Sequence, residues 1–365
     1  VRYLGLLLAV LPLAGCVRPA EGRALKDLEI GKAESAGLAV VVEDGLGAVR
    51  SVESGALTLW GNAPVLRVRA TPAAAAPEWW TVVVRNAMPD ARLTAEAGGE
   101  LLEVEAGPTP VPTTRTWRVR LRPGSEARLL VAPPGWDAPE PFRFVALADV
   151  QEALPRVGDI YARINQDPSL RFIFFSGDLT ERGSREELQE FQERLEATSR
   201  IPLYATLGNH ETFTLDLPYY EFVGRGSQHF TFQGVHFTQL DTGNGTVDPL
   251  VEQWLDGWLD EGQDAVHVVG MHIAPLDPVG LRNGSFSSRN EAAALVGKMA
   301  RKKVDLTLYG HVHSYYAYSN AGIPAYISGG GGAIPERFDG LGRHYLTVDV
   351  HPAEGVRDVA VVRVD

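Results

Sequence analysis

Five short polar clusters in the second half of the chain each follow an apolar run: Asp149-Val150-Gln151, Gly177-Asp178-Leu179-Thr180, Gly208-Asn209-His210-Glu211, Gly270-Met271-His272 and Gly310-His311-Val312-His313. Together they offer carboxylate, amide and imidazole groups. The glycines allow tight turns that aim those side chains from a strand end. Hard oxygen donors mixed with imidazole suit Mn, Fe or Zn better than a metal that prefers thiolate. The only cysteine, Cys16, is far from all five clusters along the chain, in keeping with that donor set. A single His-x-His or Gly-Asp pair is commonly structural, so the information lies in the ordered set.

The elements that must carry these clusters can be read from apolar periodicity. After Pro141, strand-like runs at 142–148, 172–176, 203–206, 235–240, 266–270 and 306–309 alternate with helical stretches at 186–197, 249–259 and 289–301. Strands alternating with helices point to central sheets covered by helices, with functional groups in loops at the carboxyl ends of the strands. Every cluster falls at such an end.

The chain before Pro141 has a different character. Short Val-, Leu- and Trp-rich runs at 38–42, 57–60, 65–70, 79–85, 101–105, 117–121 and 129–132 are separated by turn residues, with no helical period between them. Trp117-Arg118-Val119-Arg120-Leu121 alternates apolar and basic residues, the mark of a strand with one face buried and one wet. Runs of this kind predict an all-β, Ig-like sandwich over 37–140, closed by the proline-rich turn 133–139. Trp79-Trp80 could form a carbohydrate platform, but core packing is the commoner use of such residues.

The N-terminus predicts export. Arg2, the apolar run 4–13 and Leu13-Ala14-Gly15-Cys16 resemble a bacterial lipoprotein signal with its lipobox, over 1–16. The run is shorter than the ~20 apolar residues a membrane span needs, but fits the ~7–15 of a signal peptide. Acylation of Cys16 would leave the protein anchored to a membrane without crossing it. Residues 17–36, polar and without apolar period, read as a tether. Val17 after Cys16 favours the outer membrane, facing the periplasm or the cell surface.

The chain's 46 acidic residues outnumber its 34 basic ones, giving a formal charge of −12. That balance argues against a surface gripping nucleic acid through its phosphates. Phosphate chemistry here needs a local source of positive charge, and a metal centre is one.

The ordered clusters resemble the calcineurin-like metallophosphoesterases, over about 142–351. The resemblance implies a four-layer α/β sandwich for 141–365 and two adjacent metal sites bridged by one aspartate. It places Asp149, Asp178 and His313 on the first metal with Gln151 beside them, and Asp178, Asn209, His272 and His311 on the second. His210 matches the family histidine that contacts the scissile phosphate and assists the leaving group as an acid. Two divalent ions would outweigh the charges of Asp149 and Asp178, leaving the site cationic enough to activate a bridging water.

Gln151 stands where a histidine is usual in the family. An amide oxygen is neutral but harder than imidazole, which favours Mn or Fe over Zn. Similar members act on nucleotide-diphosphate compounds. Glu181 occupies the position of the metal-binding tyrosine of purple acid phosphatases, so their colour is not expected. Gly177-Asp178-Leu179-Thr180 with Gly183 is similar to the cyclic-nucleotide and glycerophosphodiester phosphodiesterase branch.

The implied reaction is hydrolysis of a phosphorylated small molecule, a phosphodiester or phosphomonoester. The alternatives are a nucleotide pyrophosphatase, or a surface-tethered binding protein whose metal is structural. Asp241 and the glycine run 329–332 read as scaffold. His229, His236, His267, His344 and His351 read as structural or solvated, and Phe213, Tyr219, Tyr220 and Arg225 as either pocket or packing.

Overall fold

The computed structural model describes residues 19–280, 284–335 and 340–364. The signal segment and Cys16 lie outside the described residues. Four sheets make up the body of the protein, two built from the first part of the chain and two from the second.

The first pair holds six and five strands and shares one apolar interior. Val82 and Val84 alternate with half-buried neighbours in the strand Trp79–Arg85, as expected of a sheet with one face inward. Trp80 is buried in this core, while Trp79 lies under the Arg118 guanidinium at 4.7 Å, so neither forms an open platform. The structure adds strands the apolar runs did not reveal, among them Gly47–Glu53 and Arg92–Ala97. Both carry charged residues on their outer faces, which dilutes the apolar signal.

The second pair is mixed α/β. One sheet places strand Phe142–Leu147 between Leu170–Phe175 and His344–His351; the other centres on Val235–Leu240, Val266–Met271 and Leu306–Tyr309. Phe172 and Phe174 point into the space between the sheets, while Ile173 and Phe175 point to the helices outside. Burial on both faces explains why these strands read as unbroken apolar runs. Helices Gly158–Ile164 and Arg185–Thr198 cover one sheet. Pro249–Glu261 and Arg289–Arg301 cover the other, giving four layers. Ser184 begins its helix with a capping box completed by Glu187, and Asp248 and Ser288 cap theirs. Among the described residues no helix is long and apolar enough to cross a membrane.

The two halves are joined at a sheet edge. Strand Leu203–Ala205 is an outer strand, and two buried asparagines from the first half complete its hydrogen bonding. Asn62 donates to the Ala205 carbonyl at 2.9 Å and accepts from the Ala205 amide at 2.8 Å. Asn86 does the same at Leu203, at 2.6 and 2.9 Å. Side-chain amides thus replace a neighbouring strand, satisfying groups that would otherwise be buried unpaired. Three residues further on begins the cluster Gly208-Asn209-His210-Glu211.

Of the segment 17–36, residues 19–36 depart from the tether expected of it. Pro19–Asp27 is a helix with Arg23, Ala24 and Asp27 buried, and Lys32–Ser35 pairs with Leu38–Val42. Arg23 donates to both oxygens of Asp241 at 2.6 and 3.0 Å, and Asp27 accepts from the amides of Gly226 and Ser227. The polar residues that made the segment look solvated are the ones that dock it. Their partners are about two hundred positions away, beyond any local pattern.

Candidate metal centre

All seven of the residues expected to hold metal converge at the carboxyl ends of the strands. Asp149 follows Phe142–Leu147, Asp178 follows Leu170–Phe175, Asn209 follows Leu203–Ala205 and His272 follows Val266–Met271. His311 and His313 follow Leu306–Tyr309. Asp149, Gln151, Asp178 and His311 adopt φ of 62°, 45°, 60° and 69°, a left-handed backbone uncommon for residues with a side chain. Such conformations cost free energy and persist where the surroundings enforce them. The enforcement is visible: the Asp178 carbonyl accepts from the amide of Val150, and the Asp149 carboxylate accepts from the amide of His311.

Two groups of ligand atoms form, each within a 4.8 Å span: Asp149, Asp178 and His313 in one, Asp178, His272 and His311 in the other. Asp178 belongs to both. Asn209 joins the second, its Oδ1 lying 3.0 Å from His272 Nε2. Gln151 joins the first through its amide nitrogen, 2.7 Å from Asp178 Oδ2 and 3.1 Å from His313 Nε2. A cation there would be met by the oxygen of that amide, the one acceptor the side chain has.

The histidines are oriented by carbonyls. His272 Nδ1 donates to Ser176 at 2.9 Å and His313 Nδ1 to Ile334 at 2.8 Å, turning each Nε2 to the centre. His210 follows the same rule, donating from Nδ1 to the Glu181 carbonyl at 2.6 Å and stacking against Phe213 with ring centroids 4.8 Å apart. Its Nε2 stands 3.9 Å from Asp178 Oδ2, beside the ligand groups rather than within them.

Burial raises the Asp149 carboxyl to a pKa of about 6, with Asp178 adding to the effect. Burial also opposes charge on Asp178, but His272 and His210 outweigh it and hold that carboxyl below its usual range. Burial alone would keep His272 neutral, whereas Asp178 and Asp149 push it up to about 9. Two buried carboxylates that draw a proton onto an imidazole exert the same pull on a cation. The donor set and its electrostatics therefore fit metal ions, and these seven residues could hold them.

Glu211 has a part that its type and position alone did not disclose. It is fully buried, with Oε2 accepting from the amides of Asp178 and Gly208 at 3.0 and 2.8 Å, and Oε1 from Thr180 at 3.1 Å. It thereby locks two ligand-bearing loops together. Burial raises its pKa to about 7, with Asp178 reinforcing the shift and the amides opposing it. Its only sequence signal was adjacency to Gly208-Asn209-His210. Gly208 is required there by space, because a Cβ would fall 2.0 Å from Asp178 Oδ1. Gly331 has the same role, its Cβ position lying 2.4 Å from the Ala148 carbonyl.

The remaining candidates sort by burial. Asp241 pairs with Arg23, and Tyr219 and Tyr220 are packed in the interior, so all three are scaffold. Arg225 is drawn over Trp254, while Phe213 stays exposed beside His210. His344 is buried in its strand against Gly330 and belongs to neither ligand group.

Residues 142–315 match the family described as Calcineurin-like phosphoesterase. This region is a calcineurin-like phosphoesterase domain. The phosphoesterase domain makes the protein a phosphoric ester hydrolase whose chemistry is metal-dependent. No curated protein matches the chain significantly. Among solved structures, the fold is similar to purple acid phosphatase PPD1 from yellow lupin (Lupinus luteus) seeds. That likeness has 14% identity and a TM-score of 0.51, covering 83% of this chain and 73% of the lupin one. A structure of PhoD matches at 14% identity and a TM-score of 0.48, covering 90% of this chain and 88% of that one. A dimetal phosphatase from Danio rerio matches at 12% identity and a TM-score of 0.44, covering 62% of this chain and 100% of its own. At such identities the lupin likeness speaks to fold alone.

Proposed function

We propose that this phosphoesterase hydrolyses a phosphodiester or phosphomonoester at a dinuclear metal site, with Asp178 shared between the two ions. The observation that carries the reading is the membership of Asp178 in both ligand groups. Asp149, Gln151 and His313 would complete one site, and Asn209, His272 and His311 the other. The chemistry that two such ions supply when bound is activation of water and neutralisation of charge on the phosphoryl oxygens. Manganese or iron is the favoured pair, with zinc the softer alternative, because oxygen donors predominate around Asp149.

The chain's own residues hold the geometry and move the proton. Glu211 accepts from the amides of Asp178 and Gly208 and so holds their two loops together, while the His210 amide donates to the Asp178 carboxylate. His210, with Nδ1 tied to the Glu181 carbonyl, presents Nε2 towards the centre. In its cationic form Nε2–H gives a proton to the departing oxygen as the P–O bond breaks, and the ring is left neutral. A lipid on Cys16 would hold the protein on a membrane, which we place as the outer one.

A substrate panel tests this. Protein loaded with manganese, iron or zinc is offered bis(p-nitrophenyl) phosphate, p-nitrophenyl phosphate and ADP-ribose. Turnover of either nitrophenyl ester, lost in Asp178→Asn, is the expected result. Preference for ADP-ribose would favour the pyrophosphatase reading, to which the Gln151 amide lends support. Tight metal binding with no turnover of any of the three would make the protein a binding module and end the proposal.

A further inference from the structure

The described part of the chain begins at Pro19, three residues after Cys16. A span of three residues reaches at most ~11 Å when fully extended. Because the helix Pro19–Asp27 is docked through buried Arg23 and Asp27 rather than hanging free, an anchor on Cys16 would bring one particular face of the folded body to the bilayer.

That face carries most of the large hydrophobic side chains that stand exposed among the described residues. Six large hydrophobic side chains stand exposed among the described residues, and four of them are Leu25, Leu28, Phe213 and Leu215. Leu25 lies on the side of the helix away from its buried residues, and Leu28 is exposed just beyond the helix end. Lys26 Nζ donates to the Asp216 carbonyl at 3.1 Å, tying the helix to the segment that carries Leu215, which is fully exposed, and Phe213, which is 59% exposed. Phe213 in turn stacks on His210 at the metal centre. Scattered surface hydrophobics need no explanation, but four grouped within reach of a lipid anchor do.

We propose that Leu25, Leu28, Phe213 and Leu215 rest in the interfacial layer of the bilayer that carries the Cys16 anchor, holding the His210 side of the phosphoesterase site against the lipid headgroups. The inference rests on the anchor reading above. Charge contributes little to selecting the surface: Lys32 pairs with Glu29 and Arg185 with Glu221 and Asp216, while Lys26 Nζ donates to the Asp216 carbonyl. Apolar insertion is the driving term, and neutral lipid suffices. The lipid chain supplies attachment and the four side chains supply orientation, the two signals that fixed membrane placement requires.

The test uses the full lipidated chain on phosphatidylcholine vesicles. With Cys16 acylated, Leu25→Cys, Leu215→Cys and, as control, Leu101→Cys each give one free thiol for an environment-sensitive fluorophore. Leu101 is 81% exposed on the first-half sheets, away from this face. Labels at 25 and 215 should shift to the blue and lose about half their emission to a shallow spin-labelled lipid, as insertion of ~5–10 Å demands, while the label at 101 is unchanged. Protein that floats with the vesicles but shows equal emission at all three positions overturns the proposal and leaves the anchor standing. Protein that does not float overturns both. Hydrolysis of bis(p-nitrophenyl) phosphate, measured on the same samples, judges the enzyme reading separately.

Discussion

Arg23 and Asp241, 218 positions apart, form a bidentate ion pair with N–O distances of 2.6 and 3.0 Å and almost no solvent exposure. The pair joins the first helix to the loop after strand Val235–Leu240. Asp241 Oδ1 also accepts from the amide of Gly243, which packs so closely that a Cβ there would lie 3.0 Å from the Gly208 carbonyl. The N-terminal helix thus buttresses the turn that carries Asn209 and His210. Removing one partner strands a buried charge, so Arg23→Ala should cost ~3–5 kcal/mol of unfolding free energy. The double variant Arg23→Met, Asp241→Leu should cost less, and denaturant unfolding of the three proteins measures the difference.

Asn86 makes two hydrogen bonds to the backbone of Leu203 and a third to the Gly61 carbonyl. Asn86→Ala would leave buried groups on strand Leu203–Ala205 without partners, each costing ~1–3 kcal/mol. A total loss of ~2–5 kcal/mol is expected in urea unfolding. Asn86→Asp keeps the acceptor and loses the donors, and should lie no closer to the parent than Ala because it buries a charge.

His229, His236 and His267 form a cluster on one sheet face under helix Pro249–Glu261, linked through Thr238 and stacked on Trp258. Burial lowers the pKa of His229 and of His267 to about 3, and that of His236 below its ordinary value. Among the described residues, the acidic groups against the cluster are Glu261, 3.8 Å from His229, and Asp305, which accepts from the His267 amide. A histidine with a folded pKa below its unfolded one is neutral in the native state. Its contribution is complete above pH ~6.5 and is lost as the pH falls towards ~3, at up to ~1.4 kcal/mol per pH unit for each group. Unfolding free energy followed from pH 7 to 4 should fall, and His267→Gln should flatten the decline.

Gln151 offers the site an amide where imidazole is usual. Gln151→His should raise zinc affinity relative to manganese by about tenfold, the scale of ~1.4 kcal/mol, because imidazole is the softer donor. Competitive metal titration reads this directly, and an unchanged ratio would remove Gln151 from the ligand set.

His210→Ala should lower kcat about 10²–10⁴-fold for an ester with an alkyl leaving group. For p-nitrophenyl esters, whose leaving oxygen needs no proton, the loss should be much smaller. Equal losses on both would mean that His210 positions substrate without acting as an acid.

Much of the metal centre was legible in the sequence because its residues are tied to strand ends. The apolar runs at 142–148, 172–176, 235–240 and 306–309 identify the strands, and each is followed by a Gly-, Asp- or His-bearing turn. Chemistry of that kind is local, carried by residue type and position. The strands Gln228–Phe232 and His344–His351 were not read, since histidines, threonines and a tyrosine interrupt their apolar pattern while being buried or half-buried.

Sequence by itself determined the alternation of strand and helix, the acidic balance and the order of the ligand clusters, because periodicity and residue chemistry act over a few neighbours. Tertiary structure alone decided that Glu211 binds two ligand-bearing loops together, that Asn62 and Asn86 complete the edge of strand Leu203–Ala205, and that polar residues 19–27 dock instead of dangling. Each depends on groups brought within ~3–5 Å from distant parts of the chain. Hydrogen bonds and ion pairs act only at such range, so no local pattern can announce them.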